Sequence, residues 1–62
     1  MYSIRQEIMK EYIEKKNVVT IKELQALFPE VSLMTIHRDL DALERNGVVV
    51  KFRGGAKSVR HS

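Results

Sequence analysis

The sequence predicts an α+β fold: three helices and a small three-stranded antiparallel sheet, in the order helix, strand, helix, helix, strand, strand. Two observations predict it. Three hydroxyl residues, Ser3, Thr20 and Ser32, each stand just before a run with apolar residues at helical spacing. Downstream, the β-forming run Val48–Phe52 is broken by Gly54-Gly55 and followed by a second short segment that can return beside it.

The chain has 62 residues, enough for one domain spanning 1–62. A domain of this size buries only about 60% of the surface its unfolded chain exposes. It has no cysteine to form disulfides or thiolate metal sites, so apolar packing must hold it together. A hydrophobic content of 44% suffices and excludes a disordered composition. No apolar run reaches membrane-spanning length and no signal-peptide core is present, so a cytoplasmic location is expected.

The first helix is expected over about 3–16. Ser3 and Gln6 have the capping-box spacing, and Ile4, Ile8, Tyr12 and Ile13 form an apolar stripe with Met9 at its edge. Asn17 ends it, and Val18–Thr20 can be a very short strand. Thr20 and Glu23 make a second capping box that opens a helix over about 21–28, with Leu24, Leu27 and Phe28 as its buried side. Pro29 stops it, because proline disfavours helical geometry in the preceding residue. Ser32 caps the third helix, about 33–46, and Gly47 supplies the left-handed residue after it. Only Pro29, Glu30 and Val31 separate the second helix from that cap, the connection of a helix-turn-helix.

In the strand that follows, Val48, Val50 and Phe52 fall on one side, Val49 and Lys51 on the other. Gly54 and Gly55 offer positive φ for the turn, and Ser58–Arg60 is the expected return strand. A hairpin alone is barely stable, so these strands need Val18–Thr20 as a third and the helices as a floor. No large apolar side chain lies between Phe52 and Val59, so this hairpin is expected to be the least rigid part.

Charge and helix geometry point to function together. The net charge is +3, but residues 1–44 hold six basic and eight acidic residues while residues 45–62 hold five basic residues and no acid. A basic segment at one end suits a polyanionic partner. At about 100° per residue, Ile36, Leu40 and Leu43 fall within about 60° on the third helix. Met34, Arg38, Asp41 and Arg45 lie opposite, flanked by Thr35, His37 and Ala42. In a helix-turn-helix the second helix enters the DNA major groove with its N-terminal residues at the base edges. Met34, Thr35, His37 and Arg38 are the base-facing candidates. Arg38 can pair with guanine O6 and N7, and Met34 or the Thr35 methyl can contact a thymine methyl. Ser32 and the first free amides of the helix can meet a phosphate. Lys51, Arg53, Gly54, Lys57 and Arg60 are the other phosphate candidates. Each has a plainer reading: Arg38 pairing with Asp41 on a wet surface, His37 as a surface side chain, and Met34 as a half-buried edge. Asp41 reads as an orienting partner for Arg38 or Arg45, and Asp39 as structural.

The string VSLMTIHRDLDALERNGVVVKFRGGA, with the upstream helix and VVTIKELQALF, resembles the DNA-binding domain of the DeoR family of bacterial transcription regulators. The shared pattern is Val31-Ser32, Thr35-Ile36, the basic pair His37-Arg38, Asp39-Leu40, Leu43-Glu44, Gly47 and Gly54-Gly55-Ala56. Two positions depart from it: His37 stands where arginine is usual, and Arg53 where histidine is frequent. The resemblance implies a winged helix-turn-helix, with residues 48–60 as a wing on the backbone or minor groove. It implies double-stranded operator DNA as partner, and no cofactor or metal is expected. Such regulators carry a larger C-terminal domain that binds a sugar phosphate and oligomerises, and the role expected for this chain is that of a repressor module. That domain is not in this sequence, so the chain reads as a DNA-binding fragment and a monomer of a homo-oligomeric parent, although Met1 also suits a natural start.

The alternative reading is a winged helix used for protein–protein or RNA contact. An enzyme fits poorly: His37 and His61 are far apart, no cysteine nucleophile exists, no carboxylate pair flanks a candidate base, and a lone Gly-Gly pair does not make a phosphate loop.

Overall fold

The computed structural model describes residues 2–59. Along the chain run α1 (Ile4–Lys16), β1 (Val18–Thr20), α2 (Ile21–Leu27), α3 (Leu33–Arg45), β2 (Val49–Phe52) and β3 (Gly55–Ser58). The sheet is antiparallel in the order β1-β3-β2, so the last strand in sequence is the central one. With its three helices this is the architecture of a winged helix-turn-helix. Among the described residues no helix is long and apolar enough to cross a membrane.

All three hydroxyl caps form. Ser3 accepts from the Gln6 N–H and Thr20 from the Glu23 N–H, and in both cases the third residue's side chain accepts from the cap's own N–H. Ser32 accepts from the Thr35 N–H. Each cap satisfies amides that the first helical turn cannot pair internally. The helices end slightly earlier than the sequence suggests, since Phe28 and Asn46 are C-caps. Asn17 closes α1 with φ of 73°, a conformation tolerated better by asparagine than by most residues.

The turn between α2 and α3 is held from within. The Val31 N–H donates to the Phe28 carbonyl at 3.0 Å. The Gln25 side-chain amide donates to the carbonyls of Phe28 at 3.2 Å and Val31 at 2.6 Å. One side chain thus satisfies two turn carbonyls and fixes where α3 begins.

Met9, Ile13, Val19, Leu24, Ile36, Leu40, Leu43, Val49 and Ala56 form the buried core. This corrects the expected face of α1. Met9 and Ile13 are its centre, whereas Ile4 is 81% exposed and Ile8 nearly half exposed. The cause is Asp39, which α3 buries to 3% exposure. Arg5 donates to Asp39 through Nε and, at 3.3 Å, through Nη2; Gln6 Nε2 donates at 3.0 Å. A buried carboxylate needs such donors. Turning Arg5 and Gln6 toward α3 carries Met9 and Ile13 inward and Ile4 and Ile8 outward. Asp39 in turn holds the Arg5 guanidinium firmly charged, its pKa raised above the ordinary value. On α2 only Leu24 is fully buried, Phe28 is partly buried, and Leu27 faces solvent.

The hairpin also differs from expectation. The return strand begins at Gly55 rather than Ser58, because Arg53-Gly54 alone makes the turn and Phe52 pairs with Gly55. Gly54 has φ of 89°, but Gly55 does not use positive φ. Gly55 is required by proximity: a Cβ there would lie 2.2 Å from the Val19 carbonyl oxygen and 3.0 Å from the Phe52 ring. The tip has an anchor that composition does not reveal, since the Ile21 N–H donates to the Gly54 carbonyl at 2.9 Å. Val49 faces the core, while Val50 and Phe52 stand on the outer face.

Arg5→Ala leaves the Asp39 carboxylate short of donors and is expected to destabilise the fold by about 1–3 kcal/mol. Ile4→Ser, on the same helical turn but in solvent, should stay within about 0.5 kcal/mol. Urea unfolding of the two variants checks the contrast, and equal losses would show that α1 is positioned by its apolar stripe instead.

Candidate nucleic-acid interface

The candidate interface comprises the outward side of α3 and the hairpin beside it. Ile36, Leu40 and Leu43 anchor α3 on the core, which leaves Met34, Arg38, Asp41 and Arg45 exposed along the opposite stripe. Met34 is 71% exposed, and its neighbour Leu33 is half exposed at the same end. Thr35 and His37 flank the stripe and are partly buried. The Thr35 and Ser32 hydroxyls lie 3.0 Å apart in a hydrogen bond, so both are engaged at the helix start. Thr35 therefore presents its methyl more freely than its hydroxyl.

The cations divide into two groups. Among the described residues, no ion pair or hydrogen bond occupies the side chains of Arg38, Arg45, Arg53 or Lys57. Lys51 differs: its ammonium donates to Asp41 Oδ1 at 2.7 Å, reaching from β2 across to α3. The hydrogen-bonded partner of Asp41 is therefore Lys51, not Arg38 or Arg45 as the sequence suggested. The Lys51 pair holds the Asp41 carboxyl below its ordinary value of 3.8, with smaller contributions from Arg45 and His37 after the opposing effect of desolvation.

A second tie joins the same elements. The Lys51 backbone N–H donates to Glu44 Oε2 at 3.0 Å. Because β2 is an edge strand, this N–H has no strand partner on that side, and Glu44 supplies one. Sequence patterning gives no sign of it, although Glu44 lies one turn beyond Asp41 on the side of α3 that faces β2.

The proposed phosphate-side residues do not form one cluster. Ser32 stands at the start of α3; Arg53 and Gly54 form the hairpin tip; Lys57 lies on β3, in register with Val50 and Val18 on the outer sheet face. The Gly54 carbonyl is used by Ile21. Arg60 lies outside the described residues. No group of three or more His, Cys, Asp or Glu side chains suited to a metal ion occurs among the described residues.

Comparison with known proteins places these features in context. The DeoR-like helix-turn-helix domain matches residues 5–62. The chain is 44% identical over 54 residues to an Escherichia coli K12 protein named as the uncharacterized HTH-type transcriptional regulator YgbI, covering 87% of this chain and 21% of that protein. It is 41% identical over 44 residues to the HTH-type transcriptional regulator GolR of Listeria innocua, covering 71% of this chain and 17% of that protein. The chain thus spans about a fifth of the length of these curated relatives. No solved structure matches it with significance.

The Asp41–Lys51 pair gives a pH signature. A carboxyl whose folded pKa is depressed contributes stability above its unfolded value and loses it as pH falls through the folded value. The wild-type advantage over Asp41→Asn is therefore expected at neutral pH, shrinking below about 3.8, the ordinary value. Thermal melts of both proteins from neutral to acidic pH check this. An advantage that persists at the acid end would separate Asp41's contribution from its charge.

Proposed function

We propose, from the premise that this chain belongs to the DeoR-like helix-turn-helix family, that it is the sequence-specific duplex-DNA-binding module of a bacterial transcription regulator acting as a repressor. One observation carries this reading: the exposed stripe of α3 offers Arg38 with no ionic partner among the described residues, beside a hairpin whose tip and central strand offer Arg53 and Lys57 in the same condition.

α3 enters the major groove with Met34, Thr35, His37 and Arg38 toward the bases. The Arg38 guanidinium presents two parallel N–H groups to a guanine edge, and the Met34 side chain and Thr35 methyl provide apolar contact for thymine. Ser32, Lys51, Arg53, Gly54, Lys57 and Arg60 address phosphates, fixing register without reading sequence. No catalytic residue, metal or cofactor enters this role. Oligomerisation and response to a sugar phosphate belong, in this reading, to a further C-terminal domain, leaving this chain a cytoplasmic monomer that binds one half-site.

Selection of bound sites from a random duplex pool tests the reading, with single-stranded RNA of the same length as competitor. Binding to duplex should weaken steeply with salt, with a log–log slope of about −0.9 per phosphate contact. A flat salt dependence, or preference for the RNA, would reject it.

Arg38→Ala should cost about 1–3 kcal/mol on the selected site and relax base choice at one position, while Lys57→Ala weakens all duplexes alike. Fluorescence anisotropy on the selected site and its single-base variants distinguishes them. Uniform loss for Arg38→Ala would make it a backbone contact.

A further inference from the structure

Asp41 is an acid in the middle of a stripe that, in the reading above, meets a polyanion. It stands between Arg38 and Arg45 on the exposed side of α3, and its side chain is 52% exposed. The other two acids of α3 have structural duties. Asp39 is buried on Arg5 and Gln6, and Glu44 accepts the edge N–H of β2. Among the described residues, the side-chain partner of Asp41 is the Lys51 ammonium. Lys51 is already fixed through its backbone by Glu44 and by pairing with Ala56, and Val49 anchors the same strand in the core. With its carboxylate half exposed, this ion pair contributes little to stability. Its larger effect falls on whatever approaches the surface.

We propose that Asp41 is a brake on DNA affinity: by holding the Lys51 ammonium at 2.7 Å it competes with the duplex for one of the cations assigned above to phosphate. This inference rests on the DNA-binding reading. A phosphate that approaches Lys51 either displaces Asp41, stranding a carboxylate beside the backbone, or shares the ammonium with it, placing two anions around one cation. In both cases the Asp41–Lys51 pair offers the duplex no net charge. Sequence-independent attraction is the term such a pair lowers, because that attraction comes from phosphate neutralisation. Base contacts such as that of Arg38 then decide a larger share of where the protein resides.

The size of the effect follows from counterion release. Freeing one cation for one phosphate steepens the log–log salt slope by about 0.9, which at roughly 0.1 M salt corresponds to almost tenfold tighter binding. Asp41→Asn removes the charge at nearly constant shape, and Asp41→Ala serves as a second variant if the amide finds a new partner.

The experiment measures binding of the whole chain to a mixed-sequence duplex pool by anisotropy across a salt series, with circular dichroism confirming the fold of each variant. Asp41→Asn and Asp41→Ala are expected to bind roughly tenfold tighter near 0.1 M salt, with a slope more negative by about 0.9. In a Lys51→Gln background the same substitutions should leave the slope unchanged, because the cation they would release is gone. Unchanged or weaker binding by the Asp41 variants overturns the proposal, as does a steepening that survives without Lys51. Failure of the unsubstituted chain to bind any duplex overturns the DNA-binding reading itself and this inference with it.

Discussion

The Asp39 carboxylate is the constraint around which the domain is arranged. It is buried on α3, and a buried carboxylate is tolerated only with donors close at hand. Those donors come from the first turn of α1, in Arg5 and Gln6. Gln6 has two duties at once: its oxygen accepts from the Ser3 N–H to close the cap, and its nitrogen donates to Asp39. The start of α1 and the middle of α3 are thereby fixed to one another. With Asp39 pointing inward, its neighbour Arg38 turns outward, because successive helical residues are about 100° apart. The same carboxylate thus helps to set both the packing of α1 and the direction of the exposed arginine.

What could be read from the sequence is what local chemistry decides. The caps at Ser3, Thr20 and Ser32 involve residues three apart, so their spacing announces them. The polar stripe on α3 was legible because Ile36, Leu40 and Leu43 leave only one face free. The face of α1 was not. Ile4 and Ile8 look like core residues at helical spacing, and their exposure follows from a partner 34 residues away in sequence for Arg5. Gly55 was misread for a related reason. Its sequence context resembles a turn, but its role is to let β3 lie against the Val19 carbonyl on β1.

At the candidate interface the distinction runs between membership and state. Lys51, Arg53 and Lys57 could be named as basic residues near the hairpin, but nothing in their order says that Lys51 is held by Asp41 while the others are not. That pairing depends on how β2 lies along α3. Asp41 and Glu44, both turned toward β2, divide the work: one carboxylate takes the ammonium of Lys51 and the other takes its backbone N–H. An acidic residue on a surface helix ordinarily reads as a solvated charge, and only the strand beside it gives either one a specific partner.

The strand order carries a consequence for synthesis. β3 is central, bonded to β1 on one side and β2 on the other, yet it is the last of the six described elements to be made. On a ribosome, β1 and β2 emerge with no partner, and the sheet cannot begin to close until Gly55–Ser58 is free. Until then the apolar undersides of α1 and α3 lack Ala56, the β3 residue of the core. Local helical turns can form early, but completion waits for a contact between residues nearly forty positions apart, Val18 and Lys57. A nascent chain truncated before β3 would therefore hold its three helices without the sheet that covers them, and release from the ribosomal tunnel, more than helix formation, sets the moment at which the domain becomes whole.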